Sequence, residues 1–297
     1  MSHFNLKPVS TGPAVRNPPK LKEVDRRLEF SYSPSPDGVD SNLLIFFHGL
    51  GDTSKPFAQL GKSLNLPQTA ILSLQAPTQI PLLEEPAFQW WDSFDPLGEM
   101  IPNPNPTKTL ELMTKVITHL TSSSGPNWSL EQIHFLGFSQ GASLAGELAL
   151  HLSRRQLQPQ SSESRSSSSS SASIGSIVAI SGGLLSHPTI PEILKPENTK
   201  ICLVWREGEE RVVGVPSWKK GYRVVKEVKL ESGGRGREGM PRGFEEWREI
   251  MRFWSEVLVR RSALERSGEV YEMSGGIDAA KTAGVSPPTT QPASSAK

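Results

Sequence analysis

The sequence predicts an α/β fold in which a mainly parallel sheet carries helices on both faces. Short apolar stretches end in glycine, proline or polar residues, which is typical of strands buried on both faces. Stretches with apolar residues at helical spacing alternate with them, and this alternation favours parallel strands with covering helices. In such sheets the ligand site lies beyond the carboxyl ends of the strands. We therefore expect the functional residues directly after the strands.

Each element has its own sequence signal. The alternating stretch RLEFSYSP at 27–34 indicates an edge strand, and RVVKEVKL at 223–230 indicates the final strand. Buried strands are predicted within 42–53, 69–77, 132–138, 176–185 and 200–205. Helical spacing appears in Leu110, Met113, Ile117 and Leu120, in the helix predicted at 140–152, and in Phe244, Trp247, Met251, Trp254 and Leu258.

The expected domain covers residues 26–262. Residues 1–25 lack periodicity and are expected to be a flexible lead-in, and 266–297 are expected to be a disordered tail. Between them, 161–173 contain ten serines in thirteen positions. This composition cannot bury a core, so we expect a disordered insertion there.

Composition excludes several classes of function. The net charge of +1 gives no strong positive electrostatic field that would attract nucleic acid, so we expect no nucleic-acid partner. The single cysteine, Cys202, lies in an apolar run, which excludes a disulfide framework and favours a buried core residue in a reducing compartment. With no apolar N-terminal segment or membrane-length stretch, we expect a cytoplasmic protein without stable membrane insertion. No cofactor or metal is indicated, and the oligomeric state stays open.

The stretch GFSQG, Gly137 to Gly141, matches the pattern G-x-S-x-G. A buried strand precedes it and a helix of small residues follows it. In this setting a serine sits on a tight turn that exposes its hydroxyl, next to the first amides of the helix. Ser139 is therefore predicted to be a nucleophile.

A second glycine-rich loop, HGLGD at 48–52, also follows a buried strand. We expect it at the same sheet edge, where the amide of Leu50 and that of Gln140 would form an oxyanion hole. His48 is either a base or a loop histidine that holds the turn, and we favour the second role.

These stretches, together with FQWWD at 88–92 and AISGGLL at 179–185, resemble the phospholipase/carboxylesterase family that includes acyl-protein thioesterases and lysophospholipases. The resemblance implies an α/β-hydrolase fold and a Ser–Asp–His triad that cleaves acyl esters or thioesters of small molecules, lipids or acylated proteins. It implies Ser139 as nucleophile and Leu50 and Gln140 as oxyanion donors. Trp90 and Trp91 would either line an acyl channel or pack the loop onto the domain.

The triad acid and base depart from the family pattern. By resemblance, an aspartate should lie about three residues before a valine, after the strand at 200–205. Here Glu210, three before Val213, matches best and Glu209 is next. The base should lie near Arg237 or Glu238, but none of the six histidines follows position 187. Besides His48, only His187 follows a strand that ends near the site, so it is the candidate substitute base.

Three hypotheses follow. The first is a serine carboxylesterase or thioesterase with an unusual base. The second is a catalytically inactive protein that uses the same fold to bind acyl groups or partners. The third is a divergent or mispredicted copy, in which the sequence of residues 206–240 is not that of a functional family member.

Overall fold

In the computed structural model, the described residues are 5–8, 16–81, 83–157, 173–185, 198–231, 239–262 and 271–274. They fall into two compact units, Ala14–Arg260 and a smaller one from both chain ends. In the smaller unit, strands β1 (Asn5–Pro8) and β11 (Tyr271–Ser274) pair antiparallel. Both lie in segments that the sequence assigned to flexible ends.

The large unit contains a seven-stranded sheet in the order β10-β9-β8-β7-β3-β4-β2. All neighbours are parallel except the edge strand β2, which pairs antiparallel with β4. The strands are β2 (Phe30–Ser33), β3 (Asn42–Phe47), β4 (Thr69–Leu74), β7 (Ile133–Phe138), β8 (Ser176–Ile180), β9 (Lys200–Arg206) and β10 (Val224–Leu230). The predicted mainly parallel sheet is confirmed.

Two apolar clusters cover the two faces of this sheet, because successive strand side chains point to opposite sides. In β3, Leu43, Ile45 and Phe47 join one cluster while Leu44 and Phe46 join the other. The helices are α1 (Leu21–Val24), α2 (Ser54–Leu64), α3 (Thr107–Thr121), α4 (Gln140–Leu157), α5 (Glu210–Val213), α6 (Val215–Gly221) and α7 (Gly243–Val257). Helices α3 and α4 pack in the first cluster, and α2 and α7 pack in the second.

Three details differ from the sequence-based expectations. Leu21, in the expected lead-in, is fully buried against the domain. Phe244, expected on the buried face of its helix, is 77% exposed, because periodicity fixes the angle around a helix but not which turns lie over the sheet. The short antiparallel strands β5 (Thr78–Gln79) and β6 (Phe88–Gln89) were not among the predicted strands.

The serine-rich insertion lies outside the described residues except for its last residue, Ser173, which is buried. Cys202 is fully buried, and burial raises the pKa of its thiol to about 12. Within the described residues, no helix is both long and apolar enough to cross a membrane.

Candidate active site

Ser139 lies between β7 and α4 in a left-handed backbone conformation, with φ of 51°. A non-glycine residue rarely adopts this conformation, because its Cβ crowds the backbone. Hydrogen bonds hold it: its N–H donates to the carbonyl of Ile180 at 2.8 Å, and its carbonyl accepts from the N–H of Ala142 at 3.0 Å. This is the strained strand-to-helix turn that the sequence predicted.

The glycines around Ser139 allow its neighbours to approach closely. A methyl group at Gly141 would lie 2.2 Å from the carbonyl oxygen of Phe47, so only glycine fits between α4 and the end of β3. At Gly49, a methyl group would lie 2.8 Å from the Phe138 ring and 3.5 Å from Cβ of Ser139. The HGLGD loop therefore lies directly beside the serine.

The amides expected to form the oxyanion hole belong to these same two segments. Leu50 follows Gly49, and Gln140 follows Ser139 at the first position of α4. Neither backbone N–H donates to another residue in the part of the chain that the structure describes. Both can therefore donate to an oxygen atom, as oxyanion stabilisation requires.

The side chain of Gln140 has a further role that the sequence did not indicate. Its oxygen accepts from the N–H of Trp90 at 2.7 Å, while its nitrogen donates to the Trp91 carbonyl at 3.0 Å and to the Ser93 hydroxyl at 2.8 Å. One buried amide thus fixes the segment 90–93 to the residue that follows Ser139.

Trp90 and Trp91 are packed into the domain, with 1% and 6% of their surfaces exposed. The Trp90 ring lies 5.4 Å from that of Phe47 and 5.3 Å from that of His48, and its indole N–H donates to the His48 carbonyl at 2.9 Å. This burial favours packing of the loop onto the domain over the alternative role in an acyl channel.

The two candidate acids point in different directions. Glu210 is exposed and pairs with Lys229 at 3.3 Å. Its own backbone N–H and Lys229 lower the pKa of its carboxyl group. Glu209 instead turns toward the strand ends, where Oε2 accepts from the Ser181 hydroxyl at 2.7 Å and from the Arg206 N–H at 3.0 Å. Both bonds use Oε2, so Oε1 can accept a further donor.

His48 is fully buried, and both ring nitrogens are hydrogen-bonded. Nδ1 donates to the Gly49 carbonyl at 2.8 Å, and Nε2 accepts from the Ala76 N–H at 3.0 Å and lies 2.9 Å from the side-chain nitrogen of Gln75. Burial lowers the pKa of the imidazole. This arrangement stabilises the loop and leaves no nitrogen to accept a proton from Ser139.

The other described histidines lie away from the serine. His134 is near the amino end of β7, where burial lowers its pKa to about 3. His119, near the end of α3, accepts the Lys20 N–H at 3.2 Å. His151 lies far along α4, and burial lowers its pKa too. His187, the candidate substitute base, lies outside the described residues, as do Arg237 and Glu238.

Arg206, the last residue of β9, is 3% exposed and connects three elements. Its guanidinium donates to the Glu246 carboxylate at 2.6 and 3.0 Å, to the Glu231 carbonyl at 3.3 Å and to the Met240 carbonyl at 3.2 Å. It therefore joins the end of β10 to the start of α7, beside the turn that carries Glu209.

Comparison with known proteins identifies the lineage. Residues 34–159 match the sequence profile of the phospholipase/carboxylesterase family. An uncharacterized hydrolase of Mycosarcoma maydis, UM10204, is 37% identical over 245 residues, which cover 81% of this chain and 86% of that protein. The chain belongs to the phospholipase/carboxylesterase family. The resemblance predicted from the sequence is confirmed.

Solved structures of the same fold support this assignment at the level of architecture. Esterase PE8 superposes with a TM-score of 0.58 at 17% identity, covering 78% of this chain and all (100%) of the esterase. Acyl-protein thioesterase 2 of Zea mays superposes with a TM-score of 0.55 at 19% identity. The match covers 78% of this chain and 99% of the thioesterase. The phospholipase/carboxylesterase chain described here therefore has the α/β-hydrolase fold, as predicted.

Sequence reasoning missed the Ser181 hydroxyl and the Arg206 guanidinium at this edge. The signal for Ser181 was its position between a buried strand and two glycines, which matches the setting of a residue in a left-handed turn. Its φ is 53°. Arg206 gave no comparable signal, because its partners lie 25 to 40 residues away.

Proposed function

We propose that this protein hydrolyses carboxylic acyl esters or thioesters, with Ser139 as the nucleophile. The observation that carries the proposal is the left-handed conformation of Ser139, φ 51°, at the junction of β7 and α4. Such strain persists where the surrounding structure enforces it, and it concentrates at functional positions. The neighbouring amides of Leu50 and Gln140 support the same role.

In the proposed reaction, Ser139 Oγ attacks the acyl carbonyl carbon, and the carbonyl oxygen becomes an oxyanion that accepts from the Leu50 and Gln140 N–H groups. The bond to the alcohol or thiol then breaks, the leaving group takes the proton lost by Oγ through water, and an acyl-serine remains. Water hydrolyses this ester and releases the acid. Removing one oxyanion donor in comparable enzymes costs on the order of 10²–10³ in kcat.

Glu209 is the better candidate for the triad acid than Glu210. A carboxylate held at one oxygen by the Ser181 hydroxyl and the Arg206 N–H keeps a fixed orientation with its other oxygen available. Glu210 is exposed and engaged with Lys229. We therefore move the proposed acid one residue earlier than the best sequence match.

The proposed activity is weak. Both nitrogens of His48 are engaged, and the other described histidines lie elsewhere. In a related triad, loss of the histidine costs on the order of 10⁶ in kcat, while the oxyanion hole and binding still provide ~10³–10⁴ over water. We therefore expect turnover of activated esters with good leaving groups. His187, which lies outside the described residues, stays the candidate for a substitute base from the sequence.

The histidine geometry also favours a second candidate function. A catalytically inactive protein that binds acyl groups would keep the elbow and the loop and need no base. In that case acyl ligands bind equally well to the wild type and to Ser139→Ala, and no acyl-enzyme forms.

The test is hydrolysis of p-nitrophenyl octanoate by the purified chain, with and without added imidazole. We expect a slow rate that Ser139→Ala abolishes and that imidazole, acting as an external base, raises at least about tenfold. Ser153→Ala is the matched control, because Ser153 lies on the same helix and its hydroxyl bonds only to the Ala149 carbonyl among described residues. Equal rates for the wild type and Ser139→Ala, with and without imidazole, would favour the binding function.

A His187→Ala variant belongs in the same assay. A rate that falls to the level of Ser139→Ala would identify His187 as the base, and an unchanged rate would rule His187 out.

A further inference from the structure

A short hairpin, residues 93–101, projects from the sheet edge that carries Ser139. Its arms are joined by the Ile101 N–H to the Ser93 carbonyl at 2.9 Å and the Asp95 N–H to the Glu99 carbonyl at 2.9 Å. At the tip, the Asp95 carboxylate accepts from the N–H groups of Leu97 at 2.8 Å and Glu99 at 2.9 Å. The turn is therefore held by its own hydrogen bonds.

This hairpin presents its apolar side chains to water. Leu97 is 86% exposed, Met100 76% and Phe94 41%. Single exposed apolar residues are ordinary, but these three lie together on one turn whose polar groups form hydrogen bonds within the hairpin. The apolar side chains are therefore exposed on an ordered, hydrogen-bonded element.

The hairpin base is fixed beside the nucleophile. The Gln140 side chain donates to the Ser93 hydroxyl at 2.8 Å and accepts from the Trp90 N–H at 2.7 Å. Two more exposed apolar residues lie at this edge, Val212 after β9 and Phe244 at the start of α7. By contrast, exposed Val224 begins β10, and Val259 bonds to Asn42 at the start of β3, both at the opposite edge.

The charges near the hairpin select among possible partners. The stretch 78–107 contains no lysine or arginine, but it contains Glu84, Glu85, Asp92, Asp95 and Glu99. An anionic surface would be repelled by this stretch, and a surface of zwitterionic or uncharged headgroups would not.

We propose that the 93–101 hairpin docks this edge onto a zwitterionic lipid surface, with Leu97 and Met100 entering among the acyl chains. A narrow tip with two projecting side chains offers far less than the roughly 800 Å² per partner of a stable protein interface. Individual apolar side chains can instead be buried one by one in the headgroup and acyl boundary. The proposal does not depend on catalysis by Ser139.

The test is co-sedimentation of the full chain with phosphatidylcholine vesicles. The double variant Leu97→Asn, Met100→Gln is expected to have a vesicle partition coefficient at least about tenfold lower than the wild type. Burial of each apolar side chain in the lipid contributes favourably to the free energy of binding, and the variant loses both contributions. Val224→Asn with Val259→Asn is the control, because it removes two exposed apolar side chains, 49% and 48% exposed, from the opposite edge. Circular dichroism melts establish that each variant is folded.

Added phosphatidylserine is expected to weaken wild-type binding, and salt is expected to restore it. Absence of wild-type binding to phosphatidylcholine would overturn the proposal, as would equal binding by the hairpin variant or equal loss in the control. A hairpin-dependent dimer in sedimentation equilibrium, without vesicle binding, would assign the tip to a second copy of the chain and likewise overturn it.

Discussion

At the scale of single residues, the proposed nucleophile Ser139 has a strained backbone conformation. Its φ of 51° places a side chain where glycine is favoured, which costs of order 1–3 kcal/mol at a position that the surroundings enforce. The bonds to Ile180 and Ala142 provide that enforcement. The fold thus loses stability at the position where the proposed reaction requires an exposed hydroxyl.

This strain predicts an unusual order of stabilities. Ser139→Gly should be more stable than Ser139→Ala by about 1 kcal/mol, because only glycine adopts a left-handed conformation without crowding. The two variants lose the same hydroxyl, so the comparison isolates the backbone. Urea denaturation measures the difference, and an alanine variant as stable as the glycine variant would refute the strain.

The two adjacent glutamates provide a second matched pair. Glu209→Ala should destabilise the fold by about 1–3 kcal/mol, because it removes the acceptor of the Ser181 hydroxyl and the Arg206 N–H. Glu210→Ala should leave the stability almost unchanged, since its ion pair with Lys229 is exposed and screened by solvent. Midpoints of chemical denaturation distinguish the two, and equal losses would contradict the different orientations.

At the scale of elements, Arg206 joins β9, β10 and α7 at the sheet edge. The guanidinium is nearly fully buried, and Glu246 is its carboxylate partner among the described residues, at 2.6 Å. Removing Glu246 would leave the buried guanidinium with the Glu231 and Met240 carbonyls but without its paired carboxylate. The junction between β10 and α7 therefore depends on this pair.

Glu246→Ala is accordingly expected to destabilise the protein by about 1–3 kcal/mol at pH 7, because Arg206 is buried while the Glu246 carboxylate is partly exposed. Arg206 lowers the pKa of the Glu246 carboxyl group. A carboxyl whose pKa is lower in the folded state stabilises the fold above its unfolded pKa of about 4.3, and this contribution disappears as the pH falls through the folded value. The difference between wild type and variant should therefore shrink below about pH 4. A constant difference from pH 7 to pH 3 would contradict this account.

At the scale of the whole molecule, the sequence predicted what depends on local pattern. The buried strands, the parallel sheet and the serine turn all have short-range signals, and the structure places Ser139, Leu50 and Gln140 at one edge. The choice between Glu209 and Glu210 depends on the direction of each side chain in the turn after β9. That direction is set by Ser181, which is distant in sequence.

Packing across the molecule explains the remaining differences. Trp90 is buried because its ring meets Phe47 and His48, and its indole N–H reaches the His48 carbonyl, 42 residues away. Leu21 is buried although its neighbours lack any periodicity. Such contacts between distant segments have no local signal, so composition alone assigned these residues to loops or a flexible lead-in.

The central claim is that Ser139 forms an acyl-enzyme in a chain without the usual base. Since water also needs a base to attack the acyl-serine, deacylation should be slow and the intermediate should accumulate. The most direct measurement is the intact mass after incubation with p-nitrophenyl octanoate, followed by peptide mapping. We predict one octanoyl group per chain, on the peptide that contains Ser139, and none in Ser139→Ala. An unmodified wild-type chain, or equal modification of the two proteins, would contradict the claim.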